Sequence, residues 1–415
     1  MILRSKYLID STGRTTEDAE VVTEGERIRA IRKKGSAPGV SEEGVVDLGY
    51  AALLPGLVNA HTHLELSAAR SSVRLQKRFT DWLREVVRVT SEWTEDDFDS
   101  SLGEGISESV RAGITCVGDI SRGTGDTRKY RESGMRVRLF CEVIDFNPKT
   151  AERTLESLKE RMNDHPSYEK LLIGIGTHTP YTVSEKLLKR CIKLAHENNW
   201  MLCIHLAETR AELEFLLEGT GEILDFRKDF GLPPEWKPPG TSPARYLESL
   251  GFFERPAMLV HCNYLEEDDF EIIARSNSSV VFCPRSHEYF GHDAHPVFKM
   301  LERGINVALG TDSLLSAPTL SVLDEIRFLH DRYHAIGAEV FLKMATTNGV
   351  KALGLSRDVG PIEHGCYGDF VGVALSEELL RKYPDPLHAV LSGQSKIIFS
   401  MVGGVTNLDL RSERA

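Results

Sequence analysis

From Leu53 onward the chain alternates short, nearly continuous apolar runs with longer stretches in which apolar residues recur at helical spacing. The apolar runs predict strands over 52–61, 114–120, 137–144, 171–177, 201–205, 258–261, 280–283 and 307–310. Val, Ile and Leu fill these runs with no polar alternation, as expected of parallel strands buried on both faces, and eight strand–helix units close into a barrel. An open doubly wound sheet is the competing architecture. No Gly-rich dinucleotide fingerprint follows the first strand, which counts against it. Residues 231–243 are too rich in Pro and Gly for helix or central strand and predict a long loop after the fifth strand.

The two ends read differently. Residues 1–10, 17–33 and 44–54 alternate apolar and polar positions between Gly turn signals, predicting a small antiparallel β unit. After Leu355 the helical spacing stops, and short strands return at 366–375 and 396–404. Neither end is large enough to bury a core alone, so both are expected to join in one β-sandwich. The predicted organisation is α/β: residues 1–53 and 361–415 form the sandwich, and 54–360 form a distorted (β/α)8 barrel.

The informative feature is what each strand ends in. The first ends in His61-Thr62-His63, the fourth in Thr177-His178, the fifth in His205 with Glu208 three residues on, the sixth in His261 and the eighth in Asp312. Residues i and i+2 of a strand share a face, so His61 and His63 present two imidazoles to one point. In a parallel barrel all these ends lie on one rim, where such folds place their active sites. Three imidazoles and a carboxylate suit a divalent ion of zinc or iron type, which makes an activated water available at neutral pH. Asp312 can touch the ion and orient that water, and Glu208 can carry a proton from it.

Charge and composition narrow the partners. The 415 residues are 41% hydrophobic and 27% charged with a net charge of −12, and Lys and Arg are scattered without a basic stripe, which argues against nucleic acid. No run approaches the ~18 apolar residues of a membrane span, and the N-terminus lacks a secretory signal, so a cytoplasmic protein with a small-molecule substrate is expected. Cys116, Cys141, Cys203, Cys262 and Cys283 lie in apolar runs without a CxxC and predict buried thiols in a reducing compartment. The oligomer stays open, a homodimer included.

The run PGLVNAHTHLELS, the HLAE around His205, VHC at His261 and GTDS at Asp312 resemble the amidohydrolase superfamily over nearly the whole chain. The resemblance implies a metal held by His61, His63, His205 and Asp312, with Glu208 and His261 handling protons. The fourth strand ends in GIGTHTPY with no lysine to bridge two ions, so the one-metal branch is implied, with Glu142 of the third strand as the open question. That branch contains the cytosine, guanine, adenosine and S-adenosylhomocysteine deaminases and the chloro-triazine hydrolases, and it makes deamination the leading chemistry. HTHLELS, FTDWLREVV, WKPPGTSPARYL and CPRSH are most similar to the aminodeoxyfutalosine deaminases of the menaquinone route. Arg285-Ser286-His287 departs from the methylthioadenosine-type deaminases. The rival readings are hydrolytic dechlorination, cyclic-amide hydrolysis, and an inactive barrel serving as an interaction scaffold.

Four further residues are candidate substrate contacts. His178 matches a ring-contacting position of the family, and Glu65 and Trp82 follow the first strand, although Trp82 also fits a helix-packing position. Arg285, at a strand end on the rim, has the fork that pairs bidentately with a substrate carboxylate; a structural salt bridge is the alternative. His287, His292 and His295 form a His-rich loop that reads as rim or lid and not as a second metal site.

Overall fold

The apolar run expected as one first strand, 52–61, is two strands of two different sheets in the computed structural model of the protein, which describes residues 1–33, 44–123, 125–165, 168–231, 233 and 236–414. The break falls at Gly56, where a Cβ would lie 2.1 Å from Thr115 Oγ1, so only glycine lets the chain cross this close to the next strand. Upstream, β1 (Ile2–Ile9), β2 (Thr15–Glu24), β3 (Arg27–Lys33), β4 (Val45–Asp47) and β5 (Ala51–Pro55) belong to a terminal sheet. Downstream, the barrel strands are β6 (Leu57–Thr62), β7 (Ile114–Ser121), β8 (Arg136–Glu142), β9 (Leu171–Gly176), β10 (Met201–Leu206), β11 (Met258–His261), β12 (Ser279–Phe282) and β13 (Asn306–Leu309).

These eight strands pair in sequence order, every neighbour parallel, as the barrel requires and a doubly wound sheet does not. β6 and β13 close the ring through individual hydrogen bonds. The amides of Thr311 and Asp312 both donate to His61 O at 3.1 Å, and Asn59 Nδ2 donates to Thr311 Oγ1 at 2.8 Å. The barrel is therefore distorted where its first and last strands meet, next to His61 and Asp312.

The C-terminal strands β14 (Phe370–Ala374), β15 (Lys396–Val402) and β16 (Val405–Asp409) continue the terminal sheet in the order β16-β15-β14-β5-β1-β2-β3, with β4 also on β1. Leu3, Val21, Leu53, Phe370, Phe399 and Met401 fill a core of its own. The N-terminal unit is mixed and not purely antiparallel, since β1 runs parallel to β4 and β5; β2 and β3 lie on the crossover that a parallel pair needs. Two short helices, Glu377–Lys382 and Pro386–Leu391, stand where helices were expected to have stopped. Each is too short for its period to register, yet each is capped: Ser376 accepts from Leu379 N, and Asp385 accepts from Leu387 N ahead of Pro386. Of the expected loop 231–243, positions 232, 234 and 235 lie outside the described residues; 236–242 are neither helix nor strand, and Pro243 opens a helix.

Sheet and barrel are joined by a buried bidentate pair, Arg136 to Asp369 at 2.7 and 3.2 Å, with Gly403 N also donating to Asp369 at 2.7 Å. Asp369→Ala leaves the Arg136 guanidinium buried and unpaired, so it is expected to lower unfolding stability by ~3–5 kcal/mol, read by denaturant titration. A change below ~1 kcal/mol would show that water reaches Arg136 once the carboxylate is gone. All seven cysteines are free, six of them buried. Among the described residues no helix is long and apolar enough to cross a membrane.

Candidate active site

The rim residues expected from the strand ends converge. The donor atoms of His61, His63 and His205 lie within 4.8 Å of one another. His63 Nε2 is 3.3 Å from His205 Nε2, and Asp312 Oδ1 is 3.6 Å from both His61 Nε2 and His63 Nε2. The local backbone is bent to make this possible. Ala207 after β10, His261 and Cys262 at the end of β11, and Asp312 after β13 all have positive φ, at 49°, 70°, 54° and 62°. Non-glycine residues hold such angles at a cost of roughly 1–3 kcal/mol each, and they cluster where side chains must be aimed inward.

Each group is fixed from behind. His205 Nδ1 donates to His178 O at 2.9 Å, so its Nε2 presents a lone pair to the cluster. Asp312 Oδ2 accepts the hydroxyls of Ser286 and Ser316, both at 2.7 Å, which leaves Oδ1 facing the imidazoles. Glu208 is held through its backbone: Asn263 Nδ2 donates to its carbonyl at 2.9 Å, and its amide donates to the buried Glu212 at 3.0 Å. Glu212 also accepts the Ala207 amide at 2.9 Å, tying down the turn between His205 and Glu208. Glu208 Oε1 lies 3.6 Å from His261 Nε2.

Burial pushes the His63 and His261 imidazoles well below their ordinary pKa and lowers His205 to about 3, so these rings are neutral. Burial, with Asp312 and Glu212 nearby, pushes the Glu208 carboxyl well above the usual carboxylate range. Asp312 goes the other way: against the cost of burial, His61, His63 and His261 hold it well below that range. The imidazoles of His61, His63 and His205 with the Asp312 carboxylate form the donor set of a divalent metal. His61 supplies a direct indication, because both ring nitrogens are buried without a hydrogen-bond partner. Leaving buried polar atoms unpaired costs about 1–3 kcal/mol each, which an ion at this point would offset. The residues fit such an ion.

A second group, Glu142, His178 and His205, also converges within 4.8 Å. It shares His205, whose Nδ1 is already committed to the His178 carbonyl; one remaining nitrogen cannot serve two ions. His287, His292 and His295 are held in ring contacts: His295 stacks on Phe282 at 3.8 Å and bonds the carbonyl of His261 at 2.9 Å.

His63, His205, Glu208, His261 and Asp312 line a cavity of ≈ 290 Å³. Of the expected substrate contacts, Glu65, Trp82 and His178 line it. His178 Nδ1 is taken by Thr182 Oγ1 at 2.7 Å, whereas the Glu65 carboxylate is occupied by Ser121 Oγ and by the Arg122 amide at 2.9 Å. Trp82 serves packing as well, standing edge-on to Phe290 at 5.0 Å.

Arg285 does not line this cavity among the described residues. Its guanidinium faces away, with Nε to Glu325 Oε1 at 2.6 Å and Nη2 to Thr319 Oγ1 at 2.8 Å, and Glu325 is fully buried. The expected carboxylate contact is replaced by the salt bridge that stood as its alternative, because a buried Glu325 must be paired. The rest of the wall was not anticipated: Phe79, Leu83, Val86, Phe146, Phe226 and Phe230 make it apolar, and Arg122 contributes a cation. Phe226 and Phe230 lie on and just after the helix Gly221–Asp229, and no single-sequence signal marks them as facing a cavity.

A profile for the amidohydrolase family matches residues 52–406. The 5-methylthioadenosine/S-adenosylhomocysteine deaminase of Thermoanaerobacter pseudethanolicus is 31% identical over 369 residues, 86% of this chain and 80% of that protein. Among solved structures, Helicobacter pylori aminofutalosine deaminase in complex with methylthio-coformycin superposes with TM-score 0.84 at 23% identity, covering 98% of this chain and 99% of that one. A Xanthomonas campestris adenosine deaminase with bound zinc gives TM-score 0.83 at 23% identity over 99% and 93%.

Proposed function

We propose that this chain, which belongs to the amidohydrolase family, removes the 6-amino group of an adenine-type nucleoside by hydrolysis, using one divalent metal ion, zinc before iron. The observation that carries the reading is the convergence of His61, His63, His205 and Asp312 near the buried Glu208, at the wall of a largely apolar cavity. Those four residues would hold the ion. When bound, it supplies Lewis acidity and a water that ionises near neutral pH.

The chain's own groups then divide the proton work. Glu208, whose carboxyl is disposed to carry a proton, takes one from the attacking water and delivers it to a ring nitrogen, which makes the amine-bearing carbon electrophilic. His261, neutral and 3.6 Å from Glu208, steadies the attacking oxygen together with Oδ1 of Asp312. His178 has its Nδ1 anchored and so keeps Nε2 for the ring. The second proton of the attacking water passes to the departing amine, ammonia leaves, and the carbon keeps the water oxygen.

The finer assignment is aminodeoxyfutalosine, a menaquinone precursor, whose aromatic tail would lie on the apolar wall; methylthioadenosine and S-adenosylhomocysteine are the second reading, favoured by the 31% identity above. Burying ~55 Å² of tail at roughly 25 cal/mol per Å² is worth about 1.4 kcal/mol, or tenfold. The zinc-loaded protein should therefore release ammonia from a 5′-extended adenine nucleoside with kcat/KM at least ~10-fold above adenosine. Silence on every adenine nucleoside, with turnover of a chloro-triazine, would move the chemistry to dechlorination, and turnover of guanine, cytosine or a cyclic amide would move it to that substrate; silence on all of these would leave a scaffold.

A further inference from the structure

Among the described residues lining the cavity, Arg122 is the one Lys or Arg. It follows β7 directly, and parallel pairing of Ser121 with Cys141 places it beside Glu142 at the end of β8, two strands from His178. Its backbone is fixed on both sides: the amide donates to Glu65 Oε2 at 2.9 Å, and the carbonyl accepts from Arg161 Nη1 at 2.6 Å. The guanidinium is exposed and makes no hydrogen bond or ion pair with any described residue; its neighbour is the Phe98 ring at 5.9 Å.

Neither acidic group on the same wall forms a hydrogen bond or ion pair with the guanidinium, although Glu142 lies close enough to feel its charge. Glu65 is engaged by Ser121 and the Arg122 amide, and Glu142 Oε1 is buried without a hydrogen-bond partner. Arg161, the other nearby cation, is spent on the carbonyls of Arg122 and Glu142. A fork of N–H donors on a clamped backbone, at the edge of an apolar aromatic wall, matches a planar anion carried on an apolar spacer.

Resting on the deaminase reading, we propose that Arg122 is the specificity-determining residue for a nucleoside whose 5′ extension is apolar or aromatic and ends in a carboxylate, which the guanidinium holds bidentately. It takes the role that Arg285, locked to Glu325, does not have free.

The test compares a 5′-substituted adenosine ending in an aryl carboxylate with its methyl ester, on the zinc-loaded parent, Arg122→Met and Arg122→Lys. The parent should prefer the acid by at least ~10-fold in kcat/KM, carried mainly by KM. Arg122→Met should bring the acid-to-ester ratio to about one, and Arg122→Lys should fall between, since lysine keeps the charge and loses the fork. A parent that treats acid and ester alike, or an Arg122→Met that lowers both equally, overturns the proposal. Calorimetric titration with benzoate reads the same contact without turnover: binding should be lost in Arg122→Met, and binding unchanged from the parent overturns it. An absence of ammonia from every nucleoside would sink the deaminase reading, while the benzoate titration still decides the role of Arg122. Thermal melts of both variants should match the parent, because the guanidinium holds nothing together.

Discussion

Glu208→Gln is expected to lower turnover by ~10²-fold or more and to leave the metal content unchanged. The substitution is close to isosteric and keeps every backbone contact that fixes the position, since Asn263 and Glu212 hold the carbonyl and amide of residue 208 and not its side chain. What it removes is a titratable proton. A glutamine can neither accept a proton from water nor pass one to a ring nitrogen, so only the steps that need the transfer suffer. The metal should stay because the converging donors are His61, His63 and His205, with Asp312 alongside, and Glu208 reaches toward His261 instead. Turnover measured with metal content on the same sample separates the outcomes. A rate within a few-fold of the parent would remove Glu208 from the proton path; loss of the ion would make Glu208 a ligand and undo the division of roles between His205 and Glu208.

The barrel was legible because its strands are buried on both faces and carry no polar alternation. The candidate site was legible because histidine is an expensive residue to place at the end of an apolar run unless something uses it. His61, His63, His205, His261 and Asp312 each stand at such an end, and the structure brings them to one rim. What stayed hidden depended on long-range partners. The break at Gly56 follows from how closely Thr115 passes, fifty-nine positions along, and an apolar run contains no sign of that approach. Arg285 reads as a rim residue free to hold a carboxylate, but the direction of a long side chain is decided by its partner, and Glu325 lies forty residues away. Glu212 and Asn263, which aim Glu208, look like ordinary helix and loop residues in the sequence. Arg122 was overlooked for the converse reason: a lone arginine after a strand ordinarily reads as a solvated surface charge, and only the cavity around it gives it a use.

His61→Ala is expected to abolish tight metal binding and to lower turnover by ~10³-fold or more, the several kcal/mol that a bound ion contributes at about 1.4 kcal/mol per tenfold. Of the proposed ligands, His61 has the least alternative employment. It is completely buried, both ring nitrogens lack a hydrogen-bond partner, and its own carbonyl accepts the Thr311 and Asp312 amides that close the barrel. The alanine variant keeps that carbonyl, so the closure and the placement of Asp312 survive the loss of the imidazole, and circular dichroism should show a folded barrel. Elemental analysis of the parent should find about one equivalent of zinc or iron per chain. Glu142→Ala separates one ion from two: Glu142 belongs only to the second converging group, so the count should stay at one in that variant. Two equivalents in the parent, falling to one in Glu142→Ala with loss of turnover, would overturn the single-ion site and assign the buried Glu142 Oε1, unpartnered within the protein, to a second ion.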